Sequence, residues 1–318
     1  IKTMGKSRVA IIGQAFPYTT IANPQRFIPD WTFGIKEDTM QELVNKIKTE
    51  EKPDAIIVLS HNGFDTDKKM AEVVTGIDFI MGGHTHDGVP EAVPVKNANG
   101  TTYVCNAGSN GKFLNVLDLD IQNGKIKDFK FTLLPIFSDL IPENKDMKKY
   151  IEDVRLPYLK ELTRPIATTE QTLFRRGNFN GSWDQIICDA LLEVKDAQIS
   201  LSPGFRWGTS VMPGQTITFD DLMTQTAMTY PETYARNISG KDIKDILEDV
   251  ADNLFNEDPF YQQGGDMVRT GGISYKINPT AKMGERISDI VLTKTNEKLD
   301  ASKSYKVAGW STVGAKSE

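Results

Sequence analysis

Histidine is scarce in this chain, three among 318 residues, and cysteine scarcer still, with two. Cys105 and Cys188 stand far apart and neither has a C-x-x-C partner, so the sequence carries no disulfide framework and no cysteine metal knuckle. Both sit in apolar patterns, TTYVCNAG of strand type and a helical run around Cys188, and are expected as small buried hydrophobes. No run approaches the ~18 consecutive apolar residues that a membrane span requires. Basic residues are outnumbered 37 to 43, and a net charge of −6 gives none of the positive footprint that holds nucleic acid. No membrane and no nucleic acid are therefore expected as partners. What remains is ordinary globular composition, 39% hydrophobic and 25% charged, in a chain long enough for two domains.

All three histidines fall within one stretch, Asp54 to Asp87. His61 follows the apolar run Ala55 to Leu59, while His84 and His86 follow Phe79 to Met81. Between the runs, Asp65 to Thr75 has helix-forming composition, which predicts strand, helix, strand with parallel pairing. Open α/β sheets bind ligands beyond the carboxyl ends of their strands, and there all three imidazoles lie. Imidazole is the commonest neutral nitrogen ligand for a transition metal, and Gly63, Gly82 and Gly83 permit tight backbone paths beside it. A lone histidine is usually an ordinary surface or core residue. Three confined to two strand ends make a metal site the expected reading, a mononuclear three-imidazole site with an open position being one form of it.

Elsewhere the pattern is regular. Arg8 to Gln14 reads as a strand, followed by a long aromatic and proline-rich loop, FPYTTIANPQRFIPDWTFGI, of Ω type. Met40, Leu43, Val44 and Ile47 mark an amphipathic helix over Lys36 to Glu50. Phe113 to Ile121 and Ile126 to Leu134 alternate about Asn123-Gly124, a hairpin signal. Pro142 to Leu162 carries a helical apolar stripe interrupted at Pro157 and reads as a bridging helix. The expected domains are 1–139, a bridge over 140–164, and 165–318. In the last, Ser182 to Val194 and Ser239-Gly240 to Asn253 are predicted helices, and Arg206 and Arg269 stand in Gly-rich loops where a planar guanidinium could hold a tetrahedral anion.

The phrases LSHNG and GGHTH resemble the last two motif blocks of the calcineurin-like metallophosphoesterases, in their 5′-nucleotidase branch. The resemblance extends over essentially the whole chain. Within it, IGQAFPYTTIANPQRFIPDWTFGI, GGHTHDGVP, SPGFRW and GGDMVR look like the SoxB branch, the thiosulfohydrolases of sulfur oxidation. The implied fold is α/β: the C-terminal part of a metallophosphoesterase αββα sandwich, a bridging helix, then an α+β domain of the 5′-nucleotidase C-terminal type. The superfamily's earlier blocks, of the forms D-x-H, G-D-x-x-D and G-N-H-[ED], are not in this sequence.

The likeness implies that His61, His84 and His86 are metal ligands for a pair of divalent ions, Mn²⁺ or alternatively Zn²⁺, and that Arg206 helps to hold the anionic group. Imidazoles alone would leave two close dications without a negative bridge, so carboxylates and catalytic groups are expected from a segment preceding Ile1. The 318-residue piece by itself is expected to bind metal poorly and to turn nothing over. The implied reaction is sulfate release from a cysteine-bound S-thiosulfonate on the SoxYZ carrier protein, in the periplasm. The alternatives are a 5′-nucleotidase or related phosphoesterase, and a non-catalytic binding module. Nucleotidases carry a late aromatic loop that stacks a base. Here the matching stretch is VAGWSTVGAKSE, with Trp310 its one aromatic.

Overall fold

Short runs rich in β-branched residues and too brief for helices pair side by side in the first part of the chain. The computed structural model describes residues 1–23, 25–204, 208–227 and 232–310. The strands β1 (Lys2–Met4), β2 (Ser7–Gln14), β3 (Ala55–Ser60), β4 (Phe79–Gly82), β5 (Val93–Asn97) and β6 (Gly100–Asn106) form one sheet in the order β1-β2-β3-β4-β6-β5. The four inner strands are parallel, with Ile11 opposite Ile57, Leu59 opposite Met81 and Gly82 opposite Asn106. Parallel neighbours need a crossover, usually helical. After the short α1 (Thr19–Ala22), α2 (Glu37–Glu50) and α3 (Phe64–Val73) supply it.

The pleat decides which residues meet those helices. Ala10, Ile12, Ile56, Val58, Ile80 and Val104 share one core with Met40 and Val44 of α2 and with Met70 and Ala71 of α3. Burial of each large side chain there stabilises the fold by about 1.5–3 kcal/mol. On the opposite face Phe79 and Tyr103 stack at 5.4 Å and receive Phe129 edge-on. Phe129 belongs to the hairpin of β7 (Phe113–Gln122) and β8 (Lys125–Pro135). Its two-residue turn, Asn123 at φ 53° and Gly124 at φ 73°, has the primed geometry that the Asn-Gly pair announces.

The chain groups into two units: Ile1–Pro142 with Asp258–Gly264, and Glu143–Glu257 with the described residues from Gly265 onward. The return of seven residues to the first unit had no sequence signal. The second unit opens on α4 (Lys145–Arg155), capped by the Asn144 side chain, which accepts from the Met147 amide. A 3₁₀ turn over Leu156–Tyr158, with Pro157 inside it, then leads to α5 (Leu159–Leu162), so the break falls at the proline.

Beyond it come β9 (Pro165–Thr168), α6 (Ser182–Lys195), β10 (Ile199–Ser202), β11 (Thr216–Thr218), α7 (Phe219–Thr226), β12 (Thr233–Ser239), α8 (Gly240–Leu254), β13 (Arg269–Gly271), β14 (Ile273–Ile277), β15 (Ile287–Leu292) and β16 (Ser304–Trp310). The sheet β12-β16-β10-β13 is covered on both faces, and alternation sorts its residues. Ile199, Leu201, Tyr305 and Val307 pack with Ile243 and Leu247 of α8, whereas Ala308 and Trp310 pack with Leu191 of α6. Cys105 and Cys188 are buried free thiols, each pushed up to about 12 by burial. Among the described residues no helix is long and apolar enough to cross a membrane.

Candidate functional site

Two loops leave the carboxyl ends of adjacent parallel strands, and each delivers a histidine. β3 ends at Ser60, and His61 is held at its base by its amide, which donates to the Gln14 carbonyl of β2 at 3.0 Å. β4 ends at Gly82, and the chain turns through Gly83, His84, Thr85 and His86. His84 at φ 71° and His86 at φ 61° are both left-handed, a region costly for residues with a Cβ and characteristic of functional turns. The Thr85 amide between them donates to the Gly83 carbonyl at 2.9 Å, which closes the turn.

The turns are stitched together. Helix α3 begins at Phe64 with no side-chain cap from its own N-cap residue, Gly63, and the Phe64 amide donates instead to Thr85 Oγ1 at 3.1 Å. Gly63 lies at φ 107°, and a Cβ there would stand 2.9 Å from Thr85 Cγ2, so only glycine fits. The result is convergence: the His61 and His84 rings lie side by side, centroids 5.2 Å apart and planes inclined at 57°. Phe16, from the loop after β2, lies over His84 at 4.3 Å and meets His61 edge-on at 6.1 Å.

His84 is fixed from behind. Its Nε2 lies 2.8 Å from the carbonyl oxygen of Gln263, in the Asp258–Gly264 segment that groups with this unit. A carbonyl only accepts, so Nε2 carries the proton, and in the neutral ring Nδ1 carries the lone pair. That is the usual outer partner of a metal-binding imidazole. Gly264 follows closely: a Cβ on it would fall 2.6 Å from His84 Nε2. The segment is pinned to α3 and to the aromatic loop, since Thr66 Oγ1 donates to the Pro259 carbonyl at 3.0 Å, Lys69 pairs with Asp258, and Tyr18 donates to the Phe260 carbonyl.

Below the histidines lies a buried polar cluster. Ser60 Oγ donates to Asp67 Oδ1 at 2.5 Å, and Asn62 Nδ2 donates to the same oxygen at 3.1 Å. Asp67 Oδ2, Asn62 Oδ1 and both polar side-chain atoms of Asn106 have no hydrogen-bond partner among the described residues. Burial raises the Asp67 carboxyl to about 7, against the lowering effect of Ser60 and Asn62. Gly82 is glycine for this reason, because a Cβ there would stand 2.5 Å from Asp67 Oδ2.

The donor chemistry fits part of a metal site. His61 and His84 supply two paired imidazoles, one with its tautomer set, and His86 is half-buried two residues on. Among the described residues there is no group of three or more His, Cys, Asp or Glu side chains arranged to hold an ion. Two nitrogens are a beginning of a donor set, and the three or more protein ligands typical of zinc sites are not assembled.

The arginines fare differently. Arg206 lies outside the described residues. Arg269 is not on an open loop: only 1% exposed, it donates to Asp184 Oδ2 at 3.2 Å, Asp266 Oδ2 at 3.0 Å, and the Gly177 and Met267 carbonyls. Arg175 donates to the other oxygen of Asp184 at 2.9 Å. Burial pushes Asp184 up and Arg175 down while their pairing opposes both shifts. Trp310 is likewise a core residue, its Nε1 donating to Ser202 Oγ at 2.8 Å.

Sequence reasoning missed Asp67, although a signal was present: Asp67, Met70, Ala71 and Val74 share one helical stripe, which puts a carboxylate on the buried face. It left the loop carrying Phe16 open between a functional segment and plain cover for the sheet end. Gln263 and Gly264 had no signal, because their contact with His84 spans most of the chain.

Comparison with known proteins places this geometry. Residues 165–317 match the family "5′-nucleotidase, C-terminal domain". Over 97% of its length the chain is 29% identical to the trifunctional nucleotide phosphoesterase protein YfkN of Bacillus subtilis, of which it covers 21%. It is 22% identical, over 96% of its length, to a 5′-nucleotidase of Vibrio vulnificus, covering 61% of it. Among solved structures, the sulfate thiohydrolase SoxB of Thermus thermophilus superposes with a TM-score of 0.90 at 34% identity, over 97% of this chain and 56% of that one. A 5′-nucleotidase precursor, also from Thermus thermophilus, shares the fold, with a TM-score of 0.82 at 23% identity, over 96% of this chain and 63% of that one. The chain thus matches SoxB and proteins of the 5′-nucleotidase superfamily in sequence and in α/β architecture, and it spans less than two thirds of each of these relatives.

Proposed function

We propose that this chain supplies the histidine-bearing part of a metal-dependent hydrolase that releases sulfate from a cysteine-bound S-thiosulfonate on a SoxYZ-type carrier, in the periplasm. The observation that carries the reading is the pair of side-by-side imidazoles, His61 and His84, at adjacent strand ends. The likeness to a sulfate thiohydrolase supports the substrate class. His61, His84 and His86 would hold divalent ions, Mn²⁺ or alternatively Zn²⁺. Such ions would supply Lewis acidity to the oxygens of the attacked sulfonate and lower the pKa of water.

The chain's own residues prepare the place. The Gln263 carbonyl holds the proton on His84 Nε2 and so directs the Nδ1 lone pair. Phe16 covers one side of that ring with apolar surface, which keeps water from it and strengthens polar interactions nearby. Arg269 acts in this reading through the buried network that anchors the loops beside it, while Arg206 would meet the anion. The net reaction is Cys–S–S–SO₃⁻ with water giving Cys–S–S⁻, sulfate and two protons: one S–S bond breaks, and one S–O bond forms.

A second reading has its own support. The match of residues 165–317 to the 5′-nucleotidase C-terminal domain, and the likeness to YfkN, favour a nucleotide phosphoesterase. Buried Trp310 offers no stacking face to a base. The test is a paired assay of the full-length protein with Mn²⁺, measuring sulfate from a thiosulfonated carrier peptide and phosphate from nucleoside monophosphates. Sulfate release that falls at least ~10²-fold in His61→Ala and His84→Ala is expected. Phosphate release alone would transfer the proposal to the nucleotidase reading.

A further inference from the structure

Asp67 has no place in the donor set described above, yet the loop that carries His61 is built around it. It is 0% exposed, on the first turn of α3, and receives two hydrogen bonds on one oxygen, from Ser60 Oγ at 2.5 Å and Asn62 Nδ2 at 3.1 Å. Those donors are the residues on either side of His61. Ser60 Oγ in turn accepts from the Asn62 amide at 3.1 Å, so the three-residue turn is closed on itself and hung from one carboxyl oxygen. The other oxygen lies over Gly82, where a Cβ would stand 2.5 Å away, two residues before His84. One side chain therefore abuts both strand ends that deliver the paired imidazoles.

A buried carboxyl with an oxygen unpartnered among the described residues is a poor choice if filling space were the whole purpose, since an apolar side chain would leave no polar atom unsatisfied. We propose that Asp67 is a positioning residue: through Ser60 and Asn62 it fixes the turn that presents the His61 imidazole towards His84. The proposal rests on the reading of His61 as a site residue. Asparagine keeps the accepting Oδ1, so Asp67→Asn holds the turn and Asp67→Ala releases it.

The test reads the histidine rings themselves in the protein with histidine carbon and nitrogen labelled, free of metal, each resonance assigned by its own His→Gln substitution. Wild type and D67N are expected to show one sharp His61 ring resonance at the same position. In D67A that resonance shifts or splits, with His84 and His86 moving by less than half as much. Ser60→Ala removes one of the two hydrogen bonds and gives a smaller change of the same kind, which decides the matter should D67A fail to fold. Val44→Ala, a core truncation on α2, controls for general loosening and leaves His61 unmoved. An unchanged His61 signal in D67A or S60A, no rescue by D67N, or an equal response in V44A overturns the proposal. Titration of the full-length protein with Mn²⁺ alone separates the underlying reading: ring signals that never broaden with the paramagnetic ion would remove the metal assignment, while the D67A and D67N contrast still judges the positioning role.

Discussion

A histidine with φ near 70° is under constraint, and here two of them flank one threonine. Strain of that kind costs about 1–3 kcal/mol per residue and persists only where neighbours over-determine it. For His84 those neighbours are Phe16, the Gln263 carbonyl and the bare Cα of Gly264. Gly264→Ala should push the ring off its partner, since the new Cβ would stand 2.6 Å from Nε2 and Gly264 itself has φ 75°. A loss of about 1–3 kcal/mol in urea unfolding, with a displaced His84 ring resonance, is expected. Asp67 gives a pH signature. Its carboxyl is raised from 3.8 to about 7, so between those values the folded protein keeps a proton that the unfolded chain has released. Its contribution to stability is fully present below pH ~4 and is lost as pH rises through ~7, by up to roughly 4 kcal/mol at 1.36 kcal/mol per unit. Both hydrogen bonds fall on Oδ1, which suits a proton on Oδ2. Asp67→Asn should flatten stability against pH across that window in chemical denaturation. A slope unchanged by the substitution would remove the assignment. Of these residues, the histidines were legible because scarcity and strand-end position marked them. The cluster under them was not, because a charged residue in a polar helix looks solvated until packing turns it inward.

At the scale of elements, period and turn chemistry carried most of the reading. The spacing predicts a helix over 36–50, found at Glu37–Glu50, and the Asn123-Gly124 turn predicts the hairpin that β7 and β8 form. Two features escaped it. The first amide of helix α3 donates to the Thr85 hydroxyl on another loop, a tertiary cap that no local pattern announces. Thr85→Ala should cost about 1 kcal/mol in thermal or urea unfolding, as for other lost caps, and should also broaden the His84 and His86 resonances because the same hydroxyl ties down their turn. Thr85→Ser, which keeps the hydroxyl, should restore both. The second is the Asp258–Gly264 segment, whose role depends on long-range packing. Sequence spacing says nothing about which part of a second unit's chain returns to the first.

Over the whole molecule, the second unit depends on a few buried charges. Asp184 bridges Arg175 and Arg269, all with side chains 0% exposed. Asp184→Ala would leave two guanidinium groups buried without that partner, which typically costs about 3–5 kcal/mol. A large fall in the urea midpoint with unchanged His61 and His84 resonances is expected, since the histidines belong to the other unit. This network also explains why Arg269 reads from sequence as a substrate arginine: a Gly-flanked arginine looks exposed, and only the packed structure shows its donors spent on Asp184, Asp266 and backbone carbonyls. The central claim concerns the paired imidazoles, and anomalous diffraction from crystals of the full-length protein equilibrated with Mn²⁺ tests it most directly. A manganese peak within about 2.3 Å of a ring nitrogen of both His61 and His84 is the predicted result. Manganese bound elsewhere, or those two rings turned away from a common ion, would contradict it.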